Sequence, residues 1–153
     1  MKNQSKKRIL LSVVTDQSQE TVIANLKQMS GIIEVEIYRP KPVLVHCSDG
    51  KKYPVYGNDI VYIEIDNCYC TIHFVDNVKM LVIESLKTLV EDFAEDGLVR
   101  CSKRFAVNLL HLCCMSGNEL WLKSGQKIPI GRTYSDALKN CFRHRNTQSR
   151  KYR

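Results

Sequence analysis

The chain has 153 residues and a net charge of +7, with 44% apolar residues, 25% charged residues, 7 glycines and 4 prolines. This balance is typical of a folded domain and excludes collagen-like and intrinsically disordered chains. The early apolar run at residues 9–14 is far shorter than the ~20 residues of a membrane helix. No signal-peptide cleavage site follows it, so we expect a cytoplasmic protein.

The cysteines and histidines show no pattern of a metal or catalytic site. Seven cysteines include no pair at the two-residue spacing of zinc ribbons and redox motifs, so we predict free thiols without metal or disulfides. A metal or redox site at Cys113 and Cys114, or at Cys68 and Cys70, is the alternative. The four histidines lack ligand spacing, and no Gly-rich phosphate loop occurs. The sequence therefore favours a binding protein without a cofactor over an enzyme.

Charge is distributed unevenly along the chain. Residues 9–96 carry fourteen acids and seven bases, whereas residues 97–138 carry six bases and two acids. The last fifteen residues add six bases and no acid. Clustered lysine and arginine are the electrostatic signature of phosphate binding, so we expect a polyanion as the partner of the second half. A tail that serves solubility alone is the alternative.

The first forty residues have the pattern strand, helix, strand. Residues 8–14 are β-rich, residues 17–29 place apolar side chains at helical spacing, and residues 33–37 alternate. Pro40 and Pro42 indicate a domain boundary near residue 40. Because so short a segment can hardly bury its own core, we expect it to pack on the following domain, to add an edge to its sheet, or to form a homodimer with a second copy.

The remainder reads as a mostly β domain with a few helices, in the α+β class. Short strands are predicted at residues 43–45, 60–65 and 70–75, with 79–83 as a candidate extension of the sheet. A helix follows Ser85, presents apolar residues at i, i+3, i+4 and i+7, and stops at Gly97. Further strands are predicted at 98–100 and 105–110, a hairpin at 119–123 and 126–130, a helix at 135–145 and a disordered basic tail at 145–153.

Five blocks then occur in a specific order: DIVYIE (59–64), YCTIH (69–73), ESLKTL (84–89), LVRCSKRFAVN (98–108) and GQKIPIGRTY (125–134). Together they resemble the LytTR-type DNA-binding domain of bacterial transcriptional regulators, over about residues 41–144. The most diagnostic pieces are Val107-Asn108 and the segment from Pro129 to Arg132. The resemblance implies elongated twisted β-sheets with one covering helix, and loops rather than a recognition helix in the major groove of duplex DNA.

The resemblance also implies the DNA-binding residues. They are Tyr69 and Cys70 near the turn after the predicted strand 60–65, Ser102, Lys103 and Arg104 in one loop, and Arg132 in another. The family commonly has His-Arg-Ser where this chain has Ser102-Lys103-Arg104, and lysine lacks the fixed two-pronged guanidinium that binds guanine. Arg132 matches the family pattern, and arginine to guanine is the commonest specific contact.

Several residues in these blocks have a simpler interpretation. Tyr62 and Ile63 are expected in the core or on a sheet face, and Trp121 is expected in the core. Asn108 is expected to satisfy backbone groups at a strand end. Two other functions stay open. An RNA-binding module would share the basic tail but should expose aromatic residues among its bases on a sheet, and a protein-interaction domain that titrates another regulator would need an exposed apolar surface.

Overall fold

The computed structural model describes residues 40–142, together with Thr21, Ala24, Asn25 and Gln28, which are helical. These four positions fall within the predicted helix 17–29. The predicted strands 8–14 and 33–37, and the basic tail 145–153, lie outside the described residues. The chain divides into two compact units, Met1–Arg39 and Pro40–Arg153, and the architecture below is that of the second unit.

The second unit contains ten strands and two short α-helices within its described residues. The strands are β1 (Val43–His46), β2 (Lys52–Val55), β3 (Ile60–Asp66), β4 (Tyr69–Phe74), β5 (Lys79–Val82), β6 (Leu98–Arg100), β7 (Phe105–Asn108), β8 (Leu112–Ser116), β9 (Glu119–Leu122) and β10 (Lys127–Pro129). The helices are α1 (Leu86–Asp92) and α2 (Ser135–Asn140). Single 3-10 turns occupy Gly57–Asp59, Ala94–Asp96, Leu109–His111 and Arg132–Tyr134. The predicted mostly β fold class is confirmed.

All described strand pairs are antiparallel, and they form three sheets. A central five-stranded sheet has the order β5-β4-β3-β7-β6, a three-stranded sheet has the order β10-β9-β8, and β1 and β2 form a hairpin. β2 and β8 were not predicted. Their sequences, KYPV and LCCMS, lack the β-branched alternation that marked the other strands, and most of their side chains are exposed.

The central sheet separates two cores. On one face, α1 packs with Leu86, Leu89 and Phe93 against the sheet and the β1-β2 hairpin. On the other face, the three-stranded sheet and α2 supply Leu120, Leu122, Ile128 and Leu138. Both faces of the central sheet are therefore apolar where another layer covers them, as a two-sided sheet requires.

A β-bulge in β3 assigns its residues to these two cores. The register shifts between Ile60 and Tyr62, and the two successive residues Val61 and Tyr62 both contribute to the core beneath the three-stranded sheet. Ile60 and Ile63 are buried on the side of α1. One extra residue thus lets β3 supply bulky side chains to both faces.

The predicted start of α1 is confirmed, whereas the helix ends at Asp92, before the predicted stop at Gly97. The Ser85 hydroxyl accepts a hydrogen bond from the Thr88 amide at 3.1 Å, which satisfies one free donor of the first turn. Gly97 follows the 3-10 turn with a φ of 93°, a left-handed conformation that glycine adopts at little cost. Among the described helices, none has the length and apolarity to cross a membrane.

Candidate nucleic-acid interface

The loop between β6 and β7 holds three of the predicted site residues in a fixed backbone conformation. The Ser102 hydroxyl accepts hydrogen bonds from the amides of Arg104 and Phe105, at 3.2 and 3.0 Å. Arg100, the last residue of β6, donates from Nε to the Ser102 carbonyl (3.1 Å) and from Nη2 to the Lys103 carbonyl (2.8 Å). These bonds order the loop while the side chains of Lys103 and Arg104 stay exposed.

A second loop, from Pro129 to Tyr134, lies directly against the first. The Gly131 amide donates to the Cys101 carbonyl at 2.8 Å, which ties the end of β10 to the end of β6. A Cβ on Gly131 would lie 3.1 Å from the Tyr134 ring of the same loop and in ordinary contact, at 3.4 Å, with the Ser102 backbone, so the two loops pack closely at this glycine. The Arg100 guanidinium also lies over the Tyr134 ring, 5.7 Å from its centroid.

Between the two loops is an open cleft of about 450 Å³. It is lined by Ser102, Lys103, Arg104, Phe105, Pro129, Gly131, Arg132, Thr133 and Tyr134. Its charged residues are Lys103, Arg104 and Arg132, all basic, and its two rings are Phe105 and Tyr134. Residues that are nearly thirty positions apart in sequence therefore form one cationic concavity.

The turn between β3 and β4 lies next to this cleft through backbone pairing. The Ile65 amide donates to the Arg104 carbonyl at 2.8 Å, and the Arg104 Nε donates to the Ile65 carbonyl at 3.3 Å. Tyr69 begins β4 opposite Asp66, and 44% of its surface is exposed. The structure therefore brings Tyr69 to the same end of the sheet as Arg104.

Cys70 does not belong to this surface. It pairs with Ile65 on β3 and with Val82 on β5, faces the core beneath α1, and is only 3% exposed. Strand alternation explains the difference, since neighbouring residues of β4 point to opposite faces of the sheet. The expectation that Cys70 contacts DNA is withdrawn, and the exposed thiol of this turn is that of Cys68.

The two buried thiols near the interface, Cys70 and Cys101, have low reactivity. Burial raises the pKa of Cys101, at the base of the first loop, to about 12, and burial also raises the pKa of Cys70. Both thiols therefore stay protonated at neutral pH, and thiolate is the reactive form. Within the described part of the chain, no group of three or more metal-ligating side chains is placed to hold an ion.

The remaining predictions for individual residues differ in outcome. Asn108 is fully buried, donates from Nδ2 to the Gly57 carbonyl and accepts the Leu110 amide at Oδ1, both at 3.0 Å, which confirms its structural role. Ile63 is buried as predicted. Trp121 is not in the core: it is 37% exposed on the outer side of β9, with Lys127 Nζ 4.2 Å from its ring centroid. Its flanking residues Leu120 and Leu122 take the buried positions instead.

Sequence reasoning missed three residues that build the interface. Arg100, Gly131 and Tyr134 hold the two loops in place, yet none was singled out beyond its charge or its block. The sequence pointed to these residues only through the family resemblance, because all three lie in two of its blocks, 98–108 and 125–134. Their contacts join those two segments, and such long-range pairing has no local pattern.

Comparison with known proteins agrees with this geometry. The family model of the LytTr DNA-binding domain matches residues 50–143. A solved LytTr DNA-binding domain from Bacillus cereus is 18% identical, with a TM-score of 0.56 over 67% of this chain and 97% of that one, and this similarity shows the fold alone. A search of curated proteins gave no match. The family match covers more than half of the sequence, and the chain therefore belongs to the LytTR family of DNA-binding domains.

Proposed function

We propose that the chain is a sequence-specific, non-enzymatic regulator of transcription that reads the major groove of duplex DNA through its loops. The observation that carries this proposal is the cationic cleft, in which Lys103, Arg104 and Arg132 converge from two abutting loops. DNA binding is assigned to residues 41–144, with the tail 145–153 as an additional basic segment and residues 1–40 as a packing or dimerisation segment.

The residues of the cleft suit different contacts. Arg132 presents a planar guanidinium that can bind guanine O6 and N7 together. Lys103 carries a flexible point charge that suits phosphate. Ser102 already accepts two backbone hydrogen bonds, so its main contribution is the shape of the loop. Tyr69 would flank the duplex from the neighbouring turn.

The helices of the described domain do not suit groove reading. α1 has seven residues, about 10 Å in length; it ends with Glu91 and Asp92, and the 3-10 turn after it contains Glu95 and Asp96. α2 has six residues, and its only buried one is Leu138. An acidic surface would repel phosphate, whereas the loops carry the bases. The loops are therefore the favoured reading elements.

Two further properties belong to this proposal. A regulator of this kind works on the chromosome, so the proposal includes the cytoplasm of a bacterium as its location. A homodimer would let two clefts read two half-sites on one face of the duplex, and sedimentation of the full chain measures whether it forms.

Selection of bound duplexes from a random library, followed by competition gel shift at one fixed salt concentration, tests the proposal. We expect an enriched duplex that binds at least ~1000-fold tighter than its scrambled version. Single-stranded RNA of the same length is the competitor that represents the RNA-binding alternative. Equal binding of RNA, or the absence of any enriched duplex, would contradict sequence-specific DNA recognition.

A further inference from the structure

Four side chains form a continuous row on the face of the central sheet that α1 does not cover. In order they are Tyr62, His73, Glu64 and Arg104. The rings of Tyr62 and His73 are stacked with centroids 4.0 Å apart, and His73 Nε2 lies 3.5 Å from Glu64 Oε2. The other carboxylate oxygen, Oε1, lies 3.7 Å from Arg104 Nη2. One carboxylate therefore faces both a residue of the DNA-binding cleft and a titratable imidazole.

His73 has little other polar contact. Its side chain is 13% exposed, and Nε2 has no hydrogen-bond partner among the described residues. Lys79 of β5 is its register partner, and the ring of Tyr62 covers one side of it. Burial and the charge of Lys79 lower the pKa of His73, and Glu64 opposes them. At neutral pH His73 is therefore uncharged, and the Glu64 carboxylate forms its ion pair with Arg104.

We propose that Glu64 is a positioning residue for Arg104. We further propose that protonation of His73 weakens the ion pair between Glu64 and Arg104 and thereby strengthens DNA binding. The proposal rests on the function assigned to the cleft above. Arg104 is also anchored to the Ile65 carbonyl, so Glu64 fixes the direction of a guanidinium whose far side stays open to the duplex. An exposed ion pair of this kind adds little stability, and its effect lies in orientation and in the charge that DNA meets.

The direction of the pH effect follows from charge. When pH falls through the lowered pKa of His73, an imidazolium forms 3.5 Å from Glu64 and competes with Arg104 for its carboxylate. The interface gains one positive charge, and Arg104 is freer to contact phosphate. Both changes increase affinity for DNA, and by linkage the duplex must in turn raise the pKa of His73.

The first test needs no DNA. NMR titration of the His73 imidazole is compared in the parent, Arg104→Ala, Glu64→Gln and the double variant. Arg104→Ala should raise the pKa of His73, because the Glu64 carboxylate then interacts with the imidazolium alone. Glu64→Gln should lower the pKa of His73, because it removes that carboxylate. In the Glu64→Gln background, Arg104→Ala should have no further effect. An equal Arg104→Ala shift in both backgrounds overturns the shared carboxylate. If Glu64→Gln does not fold, Glu64→Asp, which shortens the reach, takes its place.

The second test measures binding to the selected duplex between about pH 7.5 and pH 4.5, a window that extends well below the ordinary histidine pKa of about 6.5 because that of His73 is lowered. His73→Phe keeps a ring on Tyr62 but removes the proton, and His46→Phe, on the β1-β2 hairpin, is the matched control. The parent and His46→Phe should gain about threefold more affinity on acidification than His73→Phe, which is the gain for a half-unit rise in the pKa of His73. Glu64→Gln should bind random duplex as well as the parent or better, while its specific-to-random ratio falls.

Identical pH profiles for His73→Phe and His46→Phe would overturn the role of His73, and an unchanged ratio for Glu64→Gln would overturn the positioning role. The proposed function and the Glu64 network are tested by different measurements. A protein that binds no duplex at any pH contradicts the proposed function and the DNA part of this inference, whereas the NMR comparison decides the Glu64 network without DNA.

Discussion

The two sides of the central sheet differ in charge as well as in their covering layer. Residues 84–96, which contain α1, carry five acids and one base, whereas residues 98–134, which contain both cleft loops, carry six bases and one acid. The helix side supplies a core around Phe93, and the loop side supplies the cleft. A core lies on each side of the sheet, beneath α1 and beneath the three-stranded sheet. The proposed DNA contacts lie on the loop side alone, away from the acidic segment.

The largest effect, a loss of unfolding free energy, is expected from Phe93→Ala on the helix side of the sheet. Phe93 is fully buried and packs with Leu86 and Leu89. Removing a buried phenyl ring typically costs about 3–5 kcal/mol of unfolding free energy. Denaturant unfolding measures this loss, and the folded fraction should keep its specific-to-random binding ratio. Val75→Ala, at an exposed turn, is the control and should change stability by less than about 0.5 kcal/mol. A changed ratio would break the separation of stability from binding.

Arg132→Ala should have the next largest effect, and it acts on the loop side alone. Loss of a bidentate base contact should cost roughly 1–3 kcal/mol on the selected duplex, or about 5- to 150-fold in affinity. Binding to random duplex should change much less. Competition gel shift on selected and scrambled duplexes measures both.

Lys127→Ala is the matched control for Arg132→Ala. Lys127 has the same charge and lies outside the cleft, over the exposed Trp121 ring. Its removal should leave the specific-to-random ratio unchanged. If Arg132→Ala behaves like Lys127→Ala while circular dichroism shows an intact fold, the loop at Gly131 and Arg132 does not read bases.

The predictability of the two sides from sequence also differs. Local patterns sufficed for the start of α1, because its apolar spacing and its Ser85 cap are short-range signals, and Gly97 marks the end of the 3-10 turn that follows the helix. They failed for β2 and β8, whose side chains are mostly exposed, and for Trp121, which lies between two residues that take the core positions. The strand predicted at 119–123 is present as β9, with alternating exposed and buried residues. The prediction placed the Trp121 ring on the buried face, whereas it lies on the exposed one.

The candidate site could be predicted only as a set of blocks. The resemblance supplied Lys103, Arg104 and Arg132, and the fold brings these three to one cleft. It also pointed to Cys70, which strand alternation buries. The contacts that hold the two loops together are the hydrogen bond from the Gly131 amide to the Cys101 carbonyl and the Arg100 guanidinium over the Tyr134 ring. Both join segments about thirty residues apart, and no local pattern encodes them.

Arg100→Ala tests whether the conformation of the loop between β6 and β7 matters for specific DNA binding. The variant loses two hydrogen bonds to loop carbonyls, at 3.1 and 2.8 Å, and the contact with the Tyr134 ring. Two such bonds correspond to about 1–2 kcal/mol. We expect the loss to appear as weaker specific binding with little change in unfolding, since the loop is at the surface. Protection of loop amides from hydrogen exchange should fall in the same variant. Full specific affinity with unprotected amides would mean that loop order is irrelevant to recognition.

The smallest effect is expected from Lys103→Ala, and it separates phosphate contact from base reading within the cleft. The exposed ammonium of Lys103 extends from a loop whose backbone Arg100 already fixes, so the substitution should leave the loop in place. We expect a mixed contact. Affinity should fall about threefold on random duplex and slightly more on the selected one, and the slope of log affinity against log salt should become shallower by about 1. Gel shifts at several salt concentrations measure that slope. An unchanged slope together with a loss confined to the selected duplex would show that Lys103 reads a base, in which case the loop side would contain two specificity residues instead of one.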